Sequence, residues 1–170
     1  MKIHSIIQKD GTIPLSENQQ AFFQKNAGKR VNIEIDERST LEKQRFIEGA
    51  IVKYWFYQHM PGVFENFEQA RDSLKTGVHH VTWTYDHHGK KITKLRSMSE
   101  VYANNRKAAD FIDKCNRLFM EQGYEFPDPD AFKEWEASGP PPGAVYPPLI
   151  DLMARYKQEV DKRFPWRKKV

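Results

Sequence analysis

The sequence predicts an α+β fold: a small mixed sheet with N-terminal and central β-hairpins, packed by two long helices and followed by a C-terminal helical extension. Two observations support this class. Short runs rich in β-branched and aromatic residues flank turn signals at Asp10-Gly11 and around Gly89. Two longer segments repeat apolar residues with the 3.6-residue period of a helix. We expect an α+β domain over residues 1–137 and a proline-linked helix with a basic tail over residues 138–170.

The first part of the chain is predicted to contain three strands and one short helix. Residues 2–8 and 12–15 are the two strands that the Asp10-Gly11 turn would join into the N-terminal hairpin. A short helix is expected over 17–26. Residues 31–36 alternate apolar and polar side chains, which is typical of a half-buried strand.

The first long helix is predicted to run from Ser39 to about His59. Ser39 and Glu42 fit a capping box, in which each side chain satisfies an exposed backbone donor. Apolar residues then recur at helical spacing, so one face should be buried. The residues of this face are Ile47, Ala50, Ile51, Tyr54 and Trp55. A shorter helix is expected over 64–74.

The central hairpin is predicted from two strands, 78–85 and 91–95, which a tight turn joins. The second long helix is expected over 105–122. Its apolar face consists of Ala108, Phe111, Ile112, Cys115, Leu118 and Phe119. A short helix at 131–137 precedes a proline-rich linker, and the last helix is expected over 147–164.

The composition is that of a chain able to bury a core. It has 170 residues, of which 39% are hydrophobic. Lys and Arg number 27 against 23 acidic residues, so the formal net charge of +4 permits binding to nucleic acid without requiring it. The single cysteine excludes an internal disulfide and indicates a reducing compartment. No segment has the pattern of a signal peptide or a membrane span, so a cytoplasmic location is expected.

The residue pattern does not favour an enzyme. The His79-His80 and His87-His88 pairs lie on the predicted hairpin, but adjacent strand residues point to opposite faces and each pair offers one ligand per face. A metal-dependent nuclease built on these histidines together with Asn104 or Asn105 stays as the lower-ranked alternative. Cys115 lies on an apolar helix face and is interpreted as a buried structural thiol. No catalytic residue, metal or cofactor is predicted.

Basic residues interleaved with aromatic ones predict a nucleic-acid interface. Basic side chains follow a phosphate backbone, and aromatic rings stack on unpaired bases. A helix N-terminus also favours phosphate. The alternative interpretation is a solvated charged edge that discourages aggregation. The predicted binding residues are Lys29, Arg30, Arg38, Lys43, Arg45, Trp83, His88, Lys90, Lys91, Lys94 and Arg96.

Several short motifs occur in a fixed order across residues 3–135. They are Gly28-Lys29-Arg30-Val31-Asn32-Ile33, Arg38-Ser39, Gln44, Tyr54-Trp55, Leu74-Lys75, Gly89-Lys90, Lys94-Leu95-Arg96-Ser97-Met98 and Pro127-Asp128-Pro129. This order resembles that of the phage NinB (lambda Orf)-like recombination mediators and allied phage proteins. At Glu42-Lys43 the chain differs from that family, which tends to place Gln-Asn there.

The resemblance implies a homodimer that binds single-stranded DNA and assists a phage recombinase in DNA recombination, without catalytic activity, in the cytoplasm of a bacterial host. It also implies a host single-strand-binding or recombination protein as a partner. The proline-linked C-terminal helix and the Trp166 tail suggest a second hypothesis, a phage adaptor or inhibitor that binds a host protein.

Overall fold

The computed structural model describes residues 8, 11–29 and 39–168. The chain divides into two compact units, Met1–Ile35 and Asp36–Val170. The smaller unit contains one described helix, and the larger contains the described hairpin and the remaining helices. In the part of the chain that the structure describes, no helix has the length and apolar composition needed to cross a membrane.

Helix α1 of the smaller unit spans Glu17–Lys25, where the sequence predicts a short helix. It begins after Ser16, whose backbone N–H donates to Oε1 of Gln19 (2.8 Å). This bond is one half of a capping box. Every residue of α1 keeps part of its surface exposed to solvent.

The predicted N-terminal hairpin lacks its second strand, because residues 12–15 are irregular. The backbone N–H of Gln8 donates to the carbonyl of Thr12 (2.8 Å), and that of Gly11 donates to the carbonyl of Gln8 (2.9 Å), which closes a local turn. Pro14 has no N–H with which to extend a ladder of hydrogen bonds. Of the predicted first strand only Gln8 is described, and the predicted strand at 31–36 lies outside the described residues.

The first long helix forms as predicted but contains a π-helical turn. Helix α2 spans Leu41–Phe46, the π-helical segment spans Ile47–Ile51, and helix α3 spans Val52–Gln58 without a break in between. All five residues of the predicted apolar face are buried. A π-helical turn adds a residue to the turn and shifts the faces that follow it.

The start of this helix is one residue later than predicted. Thr40 is the N-cap, and its hydroxyl accepts a hydrogen bond from the N–H of Lys43 (3.3 Å). Ser39 is buried; its hydroxyl donates to the carbonyl of Tyr102 (2.9 Å) and accepts from Nε2 of Gln44 (2.9 Å). The predicted capping box is therefore wrong, because a tertiary contact uses the serine.

The rest of the larger unit consists of helices and one hairpin. Its elements are α4 (Phe67–Gly77), β1 (Val81–Tyr85), β2 (Lys91–Leu95), α5 (Met98–Val101), α6 (Asn105–Glu121), α7 (Pro129–Ala137), α8 (Pro147–Arg163) and a 3-10 turn (Pro165–Lys168). The two strands are antiparallel, with Val81 opposite Leu95 and Tyr85 opposite Lys91. The central hairpin, the second long helix and the last helix are confirmed to within a few residues.

The described structure is mainly helical, so the predicted α+β class is wrong. Among the described residues the sheet contains only β1 and β2. The apolar faces of the helices cover one another, and no sheet is needed to bury them. Trp55 of α3 packs against Phe119 of α6, with ring centroids 5.2 Å apart, and Phe132 of α7 packs against Tyr146 at 5.3 Å.

Helix α8 contributes to the same core. Its residues Leu149 and Leu152 are buried, and Tyr146, which precedes the helix, lies with its ring centroid 6.3 Å from that of Tyr54. The segment that follows the proline-rich linker is therefore packed into the larger unit. The face of α8 that carries these leucines is occupied by this packing.

Candidate nucleic-acid interface

The hairpin presents two different faces to solvent, because side chains alternate along each strand and opposite residues share a face. The register decides which residues lie together. One face, which we call the Trp83 face, carries Val81, Trp83, Tyr85, Lys91, Thr93 and Leu95. The opposite face carries Thr82, Thr84, Ile92 and Lys94.

The Trp83 face combines exposed rings with a cation. The indole of Trp83 is 56% exposed and the phenol of Tyr85 is 69% exposed. Nζ of Lys91 lies 4.1 Å from the centroid of the Trp83 ring, a cation–π contact. The structure thus brings together two of the predicted binding residues. Lys94, a third, lies on the opposite face because it is paired with Thr82.

The tip of the hairpin is held by Asp86. Its carboxylate accepts hydrogen bonds from the backbone N–H of His88 (2.9 Å) and of Lys90 (2.8 Å). Gly89 adopts φ 75°, a conformation that glycine takes without a steric penalty. The turn therefore places the predicted residues His88 and Lys90 at the tip, where both are exposed.

The base of the hairpin is held by Arg96 and His80. Nε of Arg96 donates to the carbonyl of Val81 (3.0 Å), and its Nη1 forms an ion pair with Oε2 of Glu100 (3.2 Å). Nε2 of His80 donates to the carbonyl of Ser97 (3.1 Å). Since a carbonyl can only accept, this contact assigns the ring proton to Nε2. Arg96, a predicted binding residue, is thus fixed in position.

A cleft of about 290 Å³ lies at the base of the hairpin, between the end of α4 and helix α6. Its charged lining includes Arg96, Lys107 and Lys114 together with the carboxylates of Glu100 and Asp110. Lys107 and Lys114 are not among the binding residues that the sequence predicts. Their spacing held a signal, since residues 107, 110, 111 and 114 follow the helical i, i+3, i+4, i+7 pattern and include the buried Phe111.

The other predicted binding residues, where the structure describes them, lie on other elements. Lys43 Nζ donates to the carbonyl of Asn105 (3.5 Å), and Arg45 is exposed on α2. Lys29 belongs to the smaller unit, where its Nζ lies 3.4 Å from Oδ1 of Asn26. The last two, Arg30 and Arg38, lie outside the described residues.

Two groups that could take part in catalysis, Cys115 and Asp128, have structural roles. Cys115 is fully buried, and burial raises the pKa of its thiol well above the ordinary value. The predicted structural thiol is confirmed. The carboxylate of Asp128 caps α7 by accepting from the N–H of Asp130 (2.9 Å) and of Ala131 (3.3 Å). Within residues 8, 11–29 and 39–168, no three His, Cys, Asp or Glu side chains group in a way that could hold a metal ion.

Comparison of the chain with protein-family models, with curated proteins and with solved structures finds no match. The resemblance to the NinB (lambda Orf)-like mediators therefore stays a prediction that the short motifs carry.

Proposed function

We propose that this protein binds single-stranded DNA through the Trp83 face of its hairpin and acts as a recombination mediator without catalytic activity. The observation that carries the proposal is the contact between Lys91 and Trp83. It places a cation over an exposed ring, so a phosphate and its neighbouring base would meet a lysine and an aromatic side chain at one point of the surface.

The exposure of the rings supports this proposal. Trp83 and Tyr85 project from one face of β1 into solvent, two residues apart and therefore about 7 Å from each other along the strand. Each ring offers a flat surface on which an unpaired base can stack. Stacking on one aromatic side chain contributes about 1–3 kcal/mol and does not depend on the base. In a duplex the base faces are already stacked, so the Trp83 face suits a single strand.

The opposite face of the same hairpin provides the matched control. Ile92 is 42% exposed and apolar, but it lies on the face without Trp83. The variants Trp83→Ala and Ile92→Ala therefore remove an exposed apolar side chain from the two sides of one small sheet. They differ in whether a stacking ring is lost.

Fluorescence anisotropy with a labelled oligo(dT) strand, and with a duplex of equal length, tests the proposal. We expect the single strand to bind more tightly than the duplex. Trp83→Ala should weaken binding to the single strand by about five-fold to a hundred-fold, the equivalent of one lost stacking contact. Ile92→Ala should leave the affinity unchanged. Equal losses in the two variants, or no binding of oligo(dT) by the unaltered protein, would overturn the proposal.

The mediator role rests on the resemblance and has its own test. A recombinase assembling on DNA coated with single-strand-binding protein should load faster when this protein is present. The Trp83→Ala variant should lose this acceleration in proportion to its loss of DNA affinity. If the protein binds DNA but does not change the loading rate, it is a DNA-binding protein and not a mediator.

We also propose that the protein is a homodimer, the commonest symmetric assembly. Exposed apolar side chains close together in the sequence support it: Met60 is 67% exposed, Val63 52% and Phe67 41%. Sedimentation at tens of micromolar, about the range that detects weak pairs, should give twice the monomer mass. The variant Phe67→Glu should shift the protein towards monomer, and a monomeric unaltered protein would contradict the proposal.

A further inference from the structure

Helix α4 ends in a turn whose left-handed residue is a histidine. His79 has φ 56°, and among the described residues it is the one non-glycine residue with a positive φ. Its N–H donates to the carbonyl of Thr76 (3.1 Å), and the N–H of His80 donates to the carbonyl of Lys75 (2.7 Å). These two bonds are those of a Schellman motif, in which this position is usually glycine. A histidine there costs free energy that glycine would not.

The hydrogen bonds of this turn come from backbone atoms alone, so glycine would make them equally well. The imidazole of His79 is exposed, and the residue lines the cleft at the base of the hairpin. Backbone strain that glycine would remove, retained beside a cleft, is typical of a ligand-binding site.

The charges that line this cleft leave one cation uncompensated. Glu100 is paired with Arg96 (3.2 Å), and Asp110 is paired with Lys114 (2.7 Å). Lys107 also lines the cleft, and within the described part of the chain it forms no ion pair. An anion entering the cleft would therefore meet a lysine whose ammonium forms no ion pair with the described residues, beside the already paired carboxylates of Glu100 and Asp110.

The guanidinium of Arg96 adds donors that are already oriented. It has five N–H groups, of which the described residues use one on Nε and one on Nη1. Its contacts with Val81 and Glu100 hold the planar group in place, so less side-chain entropy is lost when a ligand binds. A planar fork of donors beside a lysine matches the several acceptor oxygens of a phosphate.

We propose that this cleft binds a phosphate monoester, with Arg96 and Lys107 as the cationic donors and His79 as a further donor at its rim. The phosphate belongs either to the 5′ end of a DNA strand or to a free nucleotide. Binding of inorganic phosphate is measured without DNA, so this inference stands or falls separately from the proposed function.

The test is a titration of the full chain, followed by amide chemical-shift changes and by calorimetry. The probes are inorganic phosphate, thymidine monophosphate, and oligo(dT) with either a 5′-phosphate or a 5′-hydroxyl. We expect inorganic phosphate to shift the resonances of residues 79, 80 and 107. Lys107→Ala should lower the affinity about ten-fold, the equivalent of one charge-assisted hydrogen bond. Lys157→Ala, which removes an exposed lysine of α8, should change nothing.

His79→Gly separates a ligand-binding role from a structural one. Glycine relieves the left-handed conformation, so the melting temperature should rise by about 2–4 °C. The affinity for phosphate should fall in the same variant. A more stable protein that binds phosphate less well is the result expected of a strained binding residue, and it cannot be explained by loss of folding.

The remaining arms identify the source of the phosphate. A tighter complex with the 5′-phosphorylated strand than with the 5′-hydroxyl strand assigns the cleft to strand ends. Binding of thymidine monophosphate without any such difference assigns it to free nucleotides; either result supports the proposal. Trp83→Ala should leave phosphate binding intact. The proposal is overturned if no probe binds, or if Lys107→Ala and His79→Gly both bind phosphate as the unaltered protein does.

Discussion

Oη of Tyr102 donates a 2.6 Å hydrogen bond to Oε1 of Glu48 and so joins the end of α5 to the π-helical segment. The same carboxylate lies 3.5 Å from Nη1 of Arg71 on α4. The backbone carbonyl of Tyr102 accepts from the hydroxyl of Ser39. One residue therefore connects three parts of the larger unit. Burial, followed by the hydrogen bond to Glu48, raises the pKa of the Tyr102 phenol above its ordinary value.

The first prediction is that Tyr102→Phe lowers the free energy of unfolding by about 1 kcal/mol, the net value of one hydrogen bond. The loss stays near this value because Glu48 is partly exposed and can bind water instead. Urea denaturation followed by circular dichroism measures it. Tyr124→Phe is the control, since the half-buried Tyr124 hydroxyl makes no hydrogen bond with the described residues. Equal stabilities of the two variants would contradict the role of the Glu48 contact.

The second prediction concerns alkaline pH. Tyr54, Tyr102 and Tyr146 all have a raised pKa, chiefly because of burial. The folded protein thus holds these phenolic protons more tightly than the unfolded chain. Their contribution to stability is complete below the ordinary pKa of 10 and is lost as the pH rises above it. The free energy of unfolding should therefore be lower at about pH 11 than at about pH 8, and the difference should be smaller in Tyr102→Phe.

The third prediction separates the two lysines of β2. Each phosphate contact adds about 0.7 to the slope of log affinity against log salt for a single strand. Lys91→Gln should reduce the slope by about this amount, because Lys91 lies on the Trp83 face. Lys94→Gln should leave it unchanged, since Lys94 lies on the other face. Binding titrations at several salt concentrations measure the slope for both variants. A larger change with Lys94→Gln would show that the strand binds the face opposite the Trp83 face.

The fourth prediction is that Cys115 does not react while the protein is folded. The thiol is fully buried, and burial raises its pKa, so the reactive thiolate is scarce and inaccessible. Labelling with a thiol reagent such as Ellman's reagent should be slow in buffer and complete within the mixing time in denaturant. Fast stoichiometric labelling of the folded protein, with an unchanged circular dichroism spectrum, would refute the packing described for α6.

The fifth prediction is that the purified protein does not cleave DNA with magnesium or zinc. At the tip of the hairpin the ring centroids of His87 and His88 lie 3.8 Å apart, but no third His, Cys, Asp or Glu of the described residues groups with them. His80 is bonded to the carbonyl of Ser97. Hydrolysis assisted by a metal needs clustered ligands and a group that activates water. Cleavage that a chelator removes, and that is also lost in His87→Ala together with His88→Ala, would show that the protein is a nuclease.

Local chemistry made several elements predictable. The apolar faces of α3 and α6 follow from the helical period, and Trp55, Cys115 and Phe119 are buried as that period requires. Strand β2 begins and ends where the sequence predicts, because a turn with Gly89 at its left-handed position precedes it. Each of these features depends on residues within a few positions of one another. Such short-range interactions can be predicted from the sequence.

The predictions from sequence fail where a residue distant in the chain determines the local structure. Ser39 has the sequence of an N-cap, but its hydroxyl is bonded to the carbonyl of Tyr102, which is 63 positions away. The predicted fold class assigned the long helices to the faces of a sheet. In the structure their apolar faces cover one another, as Trp55 and Phe119 do. The period of a face determines that it is buried, but it carries no information about the element that buries it.

The candidate site likewise has features that the sequence determines and features that only the tertiary structure determines. The sequence by itself determined that basic and aromatic residues are concentrated at the hairpin, and that Cys115 is a core residue. Only the tertiary structure decided that Lys91 shares a face with Trp83 while Lys94 does not, because the register depends on pairing across two strands. It alone placed His79 and Lys107 in one cleft, since the packing of α4 and α6 joins residues that no local pattern relates.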